Sequence, residues 1–237
     1  MKGISWIDRH FYPEYEDNWD DSQFRQCILR AVRPDQRMLD LGAGAGIVAD
    51  MNFRGQVKWV CGVDLDPRVL KNQYLDEAAL ANIVDLPYPD NSFDLVISDN
   101  VMEHVEDPEL VFREVYRVLK TGGIFFFKTP NRLHYMPLIA RLTPYRFHRW
   151  FNRKRGREAE DTFTTHYKCN SEKQIIAIAR LAGLRLKSIS LIEGRPEYLR
   201  FNMFLYLFGV AYERLVNMTP YLSNYRILLI AKIVKPS

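Results

Sequence analysis

The stretch that decides the fold is Met38-Leu39-Asp40-Leu41-Gly42-Ala43-Gly44-Ala45-Gly46, an apolar strand that runs into a cluster of three glycines. Because glycine has no Cβ atom, a loop built from it lets the backbone approach a ligand and adopt positive φ angles. Loops of this kind bind nucleotide-like ligands at the carboxyl end of a parallel strand. The spacing is GxGxG, not the GxGxxG of dinucleotide-binding proteins, and no Gly-Lys-Ser/Thr of a phosphate-binding loop follows.

A second feature supports a nucleoside-type ligand. The run Trp59-Val60-Cys61-Gly62-Val63-Asp64 predicts another short strand, and it ends in an acid. A carboxylate in that place can accept hydrogen bonds from both hydroxyls of a ribose. The glycine loop and Asp64 together therefore predict a site for an adenosine-containing ligand, against the alternative that Asp64 only caps a helix.

Strands and helices alternate on both sides of this loop. Helices are predicted at about 21–32, 67–74, 109–119 and 172–181, with a further helix-like stretch after the glycine loop. Strands are predicted near 81–84, 93–98, 124–128, 184–191 and 227–234. Such alternation is typical of a parallel sheet covered on both faces. The last two strands are predicted to pair as an antiparallel edge, with an apolar helix at about 198–216 inserted between them.

The composition narrows the class of protein further. The chain has 237 residues and a net charge of +4, too small an excess to indicate a nucleic-acid binder. Its three cysteines, Cys27, Cys61 and Cys169, are scattered, so free thiols and no metal site are expected. The apolar stretch 199–210 is short of the roughly 20 residues that span a bilayer. A cytoplasmic protein is expected, with a membrane-peripheral location as the alternative.

Taken together, the motifs resemble those of the class I S-adenosylmethionine-dependent methyltransferases, in the small-molecule branch that includes the ubiquinone and menaquinone biosynthesis methyltransferases. The resemblance covers about residues 37–130. The matching segments are Leu39-Asp40-Leu41-Gly42-Ala43-Gly44-Ala45-Gly46, Gly62-Val63-Asp64, Asp85-Leu86-Pro87-Tyr88-Pro89-Asp90-Asn91-Ser92-Phe93-Asp94-Leu95-Val96, Met102-Glu103-His104-Val105-Glu106-Asp107-Pro108 and Arg117-Val118-Leu119-Lys120-Thr121-Gly122-Gly123.

The resemblance implies S-adenosylmethionine as the cofactor and assigns its contacts. The methionine part would lie against Asp40 and the loop residues Gly42, Ala43, Gly44 and Gly46. Asp64 would hold the ribose hydroxyls, with Leu65 beside the adenine. Asn82 and Ile83 stand where the family often has an acid and an alanine near the adenine amino group, and an Asn amide oxygen can still accept that hydrogen bond. Asp99 and Asn100 would lie where the cofactor's methyl end meets the acceptor.

Methyl transfer to a hydroxyl or carbon acceptor benefits from a general base. Three of the five histidines are candidates: His104 soon after the fourth strand, His134 after the fifth and His166 before the helix at 172–181. Each could instead pack and hydrogen-bond without touching substrate.

The charge is concentrated in one segment. Residues 132–157 contain eight Lys and Arg and no acid, with interleaved aromatic residues, so the remainder of the chain is net acidic at −4. Three interpretations stay open: a solvated lid, a patch for an anionic acceptor or a membrane surface, and an RNA contact. Nucleic acid is not expected as a partner.

The sequence thus predicts an α/β, Rossmann-like three-layer sandwich with a seven-stranded, mostly parallel sheet and an antiparallel C-terminal edge. Residues 1–237 are expected to form a single methyltransferase domain, with insertions at 132–170 and 195–224 over the acceptor site. The expected activity is in-line methyl transfer to a small acceptor, or to a lipid- or saccharide-linked one. The alternatives are a nicotinamide-dependent oxidoreductase and a non-catalytic protein of the same fold that binds S-adenosylmethionine.

Overall fold

The computed structural model describes residues 2–15, 18–142 and 164–236. Its centre is a seven-stranded sheet with the strand order β3-β2-β1-β4-β5-β7-β6. The strands are β1 (Arg37–Leu41), β2 (Trp59–Asp64), β3 (Glu77–Leu80), β4 (Phe93–Asp99), β5 (Leu119–Pro130), β6 (Arg185–Ile192) and β7 (Leu228–Val234). The first five pair in parallel, which confirms the predicted fold class.

The centre of the sheet is buried on both faces. Leu39 and Leu41 of β1 and Leu95 and Val96 of β4 have no exposed surface. Strands covered on both sides are expected to be predominantly apolar, as β1, β2 and β4 are. The register pairs Leu41 with Val63 and with Ser98, so β1, β2 and β4 end at the same edge of the sheet.

At the other side of the sheet, β7 lies between β5 and β6. The Gly122 N–H donates to the Lys235 carbonyl at 2.9 Å, and the Lys235 N–H donates to the Gly123 carbonyl at 3.0 Å. This exchange of two hydrogen bonds is the mark of an antiparallel pair. The antiparallel C-terminal strand is therefore confirmed, with β6, not β7, at the edge.

The described helices are α1 (Lys2–Phe11), α2 (Trp19–Leu29), α3 (Pro108–Val118), α4 (Tyr135–Leu142), α5 (Glu172–Leu181) and α6 (Met203–Asn217). Helix α3 begins at a capping side chain, because the Asp107 carboxylate accepts the N–H of Glu109 at 3.1 Å. At the start of α5, side chains bond to one another and to the main chain. The Ser171 hydroxyl donates to Gln174 Oε1 at 2.9 Å, and the same oxygen accepts the Asn170 N–H.

Three local predictions are wrong. The stretch after the glycine loop forms only a short 3₁₀ turn, Ala49–Met51, and the predicted helix at 67–74 is a 3₁₀ turn at Pro67–Lys71. The third strand lies at Glu77–Leu80, before the apolar residues predicted to form it. Its place is set by pairing with β2, in which Asp64 is in register with Leu80.

The chain divides into two compact units. One comprises Met1–Asp20, Pro130–Thr165 and Leu191–Leu228, and the other comprises Asp21–Thr129, His166–Ser190 and Leu229–Ser237. We call them the cap unit and the sheet unit. In the sheet unit, Phe112 of α3 packs edge-on against Phe125 and Phe127 of β5. In the cap unit, Ile7 and Tyr12 form a core with Tyr206 and Val210 of α6.

Residues 143–163, which hold most of the basic segment, lie outside the described residues. The expectation that 132–170 and 195–224 are insertions over an acceptor site stays a prediction. Among the described residues, no helix is long and apolar enough to cross a membrane.

Candidate cofactor and acceptor site

The glycine loop follows β1 directly, and its three glycines all have positive φ angles of 77°, 53° and 71° at Gly42, Gly44 and Gly46. At Gly42 any side chain is also excluded sterically, since a Cβ atom there would overlap the side chain of Val101. Nothing lies within 4 Å of a Cβ atom placed on Gly44. The middle of the loop therefore presents bare backbone to an open space, as a ligand cradle requires.

Asp64 is held against this loop by two main-chain groups. Its Oδ2 atom accepts the Gly44 N–H at 2.9 Å, and its Oδ1 atom accepts the Asp66 N–H at 2.8 Å. Both contacts fix the carboxylate at the carboxyl end of β2. Each carboxylate oxygen can accept a further hydrogen bond, so the oriented group is suited to ribose hydroxyls.

Asn72, which the sequence analysis missed, holds the loop from the other side. Its side-chain Nδ2 donates to the carbonyls of Ala43 and Gly44 at 3.0 and 3.2 Å, while Oδ1 accepts the Tyr74 N–H at 2.9 Å. A Cβ atom on Gly46 would overlap this amide. Asn72 is buried, so these bonds replace the water that its amide loses.

Three carboxylates converge where β1, β2 and β4 end. Asp40 is buried, and its burial together with the nearby charges of Asp99 and Asp64 raises its pKa to about 8. A carboxyl group with this pKa is mostly protonated at neutral pH. The cluster favours a ligand that brings positive charge, because a cation would relieve the repulsion among the acids.

Lys128 of β5 lies behind this cluster and has no exposed surface. Its ammonium forms ion pairs with Asp21 of α2 and with Asp99, the latter at 2.9 Å, and lies 5.9 Å from the centre of the Phe24 ring. One buried cation thus ties α2 and β5 to the end of β4. Removing the lysine would leave two carboxylates without their cation, and removing the carboxylates would leave a buried ammonium without an anion.

The remaining predicted contacts also lie at this edge of the sheet. Leu65 is 69% exposed directly after Asp64. Asn82 and Ile83 follow β3, where the Ala81 N–H donates to the Asp64 carbonyl at 3.1 Å. Asn82 is exposed, and its Oδ1 atom accepts the Val84 N–H at 3.2 Å. Asn82 and Ile83 therefore lie near Asp64, although they follow β3 instead of forming the strand predicted at 81–84.

Asn100 follows β4 directly and has a left-handed conformation, with a φ angle of 53°. Its N–H donates to the Lys128 carbonyl at 3.0 Å. The chain consequently turns away from the sheet directly after Asp99 and enters the 3₁₀ turn Met102–His104.

The three candidate histidines fall in different places. His104 lies in that turn with 30% of its side chain exposed, and His166 is exposed in the segment before α5. Glu103 links both: it precedes His104 in the chain, and its carbonyl accepts the His166 N–H at 2.7 Å. His134 belongs to the cap unit and is 1% exposed. There its Nδ1 atom accepts the Met136 N–H at 3.2 Å, and Nε2 lies 3.5 Å from Glu193.

The described parts of the chain contain no group of three or more His, Cys, Asp or Glu side chains that could hold a metal ion. The open glycine loop, the oriented Asp64 carboxylate and the acids around Asp40 form an arrangement that can hold a nucleoside-type ligand with positive charge.

Comparison with known proteins agrees with this geometry. Residues 39–127 match the family described as "Methyltransferase domain". A ubiquinone biosynthesis O-methyltransferase from Neisseria meningitidis is 34% identical over 108 residues, which are 41% of this chain and 45% of that protein. A sarcosine/dimethylglycine N-methyltransferase from Halorhodospira halochloris is 36% identical over 113 residues, covering 44% of this chain and 40% of that protein. The chain thus spans about half the length, or less, of these curated relatives.

A solved structure extends the likeness of fold beyond the matched segment. Geranyl diphosphate C-methyltransferase from Streptomyces coelicolor, in complex with S-adenosyl-L-homocysteine, has a TM-score of 0.57 at 16% identity. The match covers 90% of this chain and 76% of that one. The sequence match relates residues 39–127 to methyltransferase domains, and the structural match carries the fold alone.

Proposed function

We propose that the protein binds S-adenosylmethionine and transfers its methyl group to a small-molecule acceptor. The observation that carries the proposal is the Asp64 carboxylate, fixed by the N–H groups of Gly44 and Asp66 beside the open middle of the glycine loop. A ribose needs such an oriented acceptor, and a bare backbone allows the ligand to lie close to it.

The residues present fit this cofactor. The acids Asp40 and Asp99 supply negative charge where a sulfonium and an ammonium group require it, and a cation bound there would favour the ionised form of Asp40, whose pKa burial and the neighbouring acids raise. The exposed Leu65 offers an apolar surface for an adenine. Asn82 offers an amide for the edge of that ring.

The cofactor supplies a methyl group on a sulfonium, which already is a good leaving group. The task of the chain is to align the acceptor with the methyl-bearing sulfur and to exclude water. Holding two reactants in line can contribute roughly 7–11 kcal/mol to lowering the barrier. The rigid elements that do this here are the ends of β1 and β4, which Lys128 and Asn72 fix by buried contacts.

His104 and His166 are the favoured candidates for the general base. Both belong to the sheet unit and meet at Glu103, at the end of β4 that carries Asp99. His134 is a weaker candidate, because its imidazole is buried and both of its nitrogens face protein groups. A base would take the acceptor's proton as the methyl group is transferred.

Two observations bear on the class of acceptor. The related proteins include an O-, an N- and a C-methyltransferase, so the acceptor atom differs within the family. The eight Lys and Arg in residues 132–157 favour an anionic acceptor, such as one that carries a phosphate or carboxylate. A lipid- or saccharide-linked acceptor is part of the same proposal.

Calorimetry tests the cofactor. We expect S-adenosylmethionine and S-adenosylhomocysteine to bind to the purified chain and NAD not to bind. Asp64→Ala should weaken binding at least tenfold, as expected when a bidentate acceptor is lost. Asp35→Asn is the matched control, since this exposed acid precedes β1 at the opposite end from the glycine loop. Binding of NAD in place of S-adenosylmethionine would refute the proposal.

An activity assay tests the transfer. The enzyme and radiolabelled S-adenosylmethionine are incubated with panels of phenols, amines and isoprenoid phosphates, and transfer of the label to an acceptor is measured. Cofactor binding without transfer to any panel member would favour the non-catalytic alternative.

A peripheral membrane contact is a further part of this proposal, and helix α6 supports it. Its inner face packs through Tyr206 and Val210, while Phe204 and Phe208 on its outer face are 76% and 66% exposed. Bulky apolar side chains one helical turn apart are typical of helices that lie in a membrane interface. The occupant we expect is an anionic bilayer, because the basic segment 132–157 gives the chain a complementary charge.

Vesicle sedimentation tests this contact. The wild-type chain should sediment with phosphatidylglycerol vesicles more than with phosphatidylcholine vesicles at low salt. The double variant Phe204→Ser/Phe208→Ser should lose at least half of the binding, whereas Ile176→Ser on α5, which also removes an exposed apolar side chain, should not. Equal sedimentation of the double variant and the wild type would exclude α6 as the contact.

A further inference from the structure

Glu103 is a buried acid that the cofactor site does not explain. It lies in the 3₁₀ turn Met102–His104 after β4 and is 5% exposed. A buried carboxyl group is costly unless its oxygens are satisfied. The contacts of Glu103 therefore indicate the role of its buried carboxyl group.

The side chain and the main chain of Glu103 both hold the segment before α5. Its Oε2 atom accepts the Thr129 hydroxyl at 2.9 Å, and that hydroxyl accepts the Asn170 amide at 2.6 Å. Its carbonyl accepts the N–H groups of His166 and Tyr167 at 2.7 and 3.2 Å. Tyr167 has a φ angle of 51°, a conformation that a non-glycine residue keeps only where its surroundings fix it.

The other carboxylate oxygen is directed at His104. The Oε1 atom lies 4.0 Å from Nε2 of the imidazole, and 30% of the His104 side chain reaches solvent. The charged group that faces Glu103 from β5 is Lys128, whereas Lys168 of the segment before α5 donates to the Glu106 carbonyl. A buried acid thus stands directly behind a partly exposed imidazole at the end of β4.

From this geometry we infer that Glu103 is a positioning residue for the acceptor side: its carboxylate stabilises the His104 imidazolium, and its carbonyl fixes His166 in place. The inference rests on the proposed function for its purpose, but the contact between the two side chains does not depend on it. In the reaction, a hydroxyl acceptor would form its new bond to the methyl carbon as the carbon–sulfur bond breaks. The electron pair of that bond stays on the sulfur, and the acceptor's proton goes to His104, where Glu103 balances the charge.

The protonation of Glu103 fits this role. Burial raises its pKa to about 7, against the opposing effects of its hydrogen bonds and of Lys128. Two groups in such contact titrate as a coupled pair, and each shifts the pKa of the other by the same amount.

NMR titration of the cofactor-free protein tests the coupling. We expect Glu103→Gln to lower the pKa of His104, read from its imidazole resonances, by about 0.7 unit or more, the shift for two charges 4 Å apart even in a water-like medium. Gln keeps an oxygen for the Thr129 hydroxyl, so the buried network stays. His104→Gln should raise the pKa of Glu103, read from its carboxyl ¹³C resonance, by a similar amount.

Glu106→Gln is the matched control, because it removes an exposed carboxylate two residues from His104. It should move the pKa of His104 by less than about 0.3 unit, since exposed charges are screened. If Glu103→Gln does not fold, the His104→Gln variant, altered at a partly exposed site, still reports the pKa of Glu103.

An unchanged pKa of His104 in Glu103→Gln, or of Glu103 in His104→Gln, would overturn the inference. A loss of thermal stability with an unchanged pKa would assign Glu103 a structural role only, and overturns it equally. Neither pKa titration uses the cofactor or an acceptor. Failure to bind S-adenosylmethionine would refute the proposed function, but it would leave the coupling between Glu103 and His104 intact. The two failures can therefore be told apart.

Discussion

The raised pKa of Asp40 leads to a prediction about cofactor binding. In the ligand-free protein this carboxyl has a pKa of about 8, because it is buried near the charges of Asp99 and Asp64. It is therefore largely protonated at pH 7. A bound cation favours the ionised form and lowers this pKa. Binding of S-adenosylmethionine should consequently release a proton, and its affinity should rise with pH until the free carboxyl is ionised.

The size of the effect follows from the linkage between protonation and binding. If the cofactor lowers the pKa of Asp40 from about 8 by one unit, the affinity rises about threefold between pH 6 and pH 7.5. A fall of two units gives about a twelvefold rise and a release of about 0.8 proton at pH 7. The range stops at pH 7.5 because the amino group of the cofactor itself titrates near pH 8.

Isothermal titration calorimetry in buffers of different ionisation enthalpy measures both quantities. S-adenosylhomocysteine is the ligand control, since it shares the amino group but lacks the charge on sulfur, and its affinity should depend less on pH. Asp40→Asn is the protein control: it removes the titrating group while keeping its shape, so the pH dependence and the released proton should both disappear.

Two results would refute this reasoning. One is an affinity for S-adenosylmethionine that changes by less than about 1.5-fold between pH 6 and pH 7.5 in the wild type. The other is a pH dependence that persists in Asp40→Asn, which would assign the titration to a different group.

Three further predictions concern stability, each measured by urea denaturation. Lys128→Met should lower the free energy of unfolding by about 3–5 kcal/mol, because it leaves the buried Asp21 and the half-buried Asp99 without their cation. Gly46→Ala should cost more than the roughly 1–2 kcal/mol of a left-handed alanine, since its methyl group would also overlap Asn72. Asn202→Ala should cost about 1 kcal/mol, because its side chain accepts two N–H groups at the start of α6.

Each of these variants has a matched control. Lys120→Met breaks an ion pair with Asp94 whose lysine is 43% exposed, and should cost no more than about 1 kcal/mol. Gly55→Ala has the same type of φ angle, 78°, without any atom near the new methyl group, so it isolates the cost of the backbone conformation. Asn202→Asp keeps the cap. Equal losses in a variant and its control would contradict the corresponding argument.

The cofactor side of the site could be predicted because its signals are local. The glycines at 42, 44 and 46 follow an apolar strand, and Asp64 ends the next one, so short sequence windows contain the whole pattern. The strands β1, β2 and β4 are found for the same reason. Burial on both faces favours short, mostly apolar runs, which are visible without knowing their neighbours in the sheet.

Other parts depend on contacts between distant residues. Asn72 bonds to carbonyls of Ala43 and Gly44, nearly thirty positions earlier, and nothing around it in the sequence marks that role. The same side chain accepts the Tyr74 N–H, which competes with a continuing helix and explains why a 3₁₀ turn replaces the predicted helix at 67–74.

The misplaced third strand has a similar cause. Ile83 and Val84 have the β-branched side chains that favour strands, whereas Glu77–Leu80 has little intrinsic preference. Pairing with β2 determines the position of β3, since it places Glu77 beside Cys61. The network of Glu103, Thr129 and Asn170 was invisible for the same reason: it joins three segments that meet only in the folded sheet.

The position of β7 has a consequence for the order of assembly during synthesis. This strand is the last element of the described chain, yet it lies between β5 and β6. Strand β6 therefore has no partner in the sheet until residues 228–234 have left the ribosome, although α5 and β6 are made earlier. A nascent chain that pauses before Leu228 would expose the unpaired edges of two strands, which are sites for aggregation. Truncation at this point should yield an aggregating protein rather than a smaller stable domain.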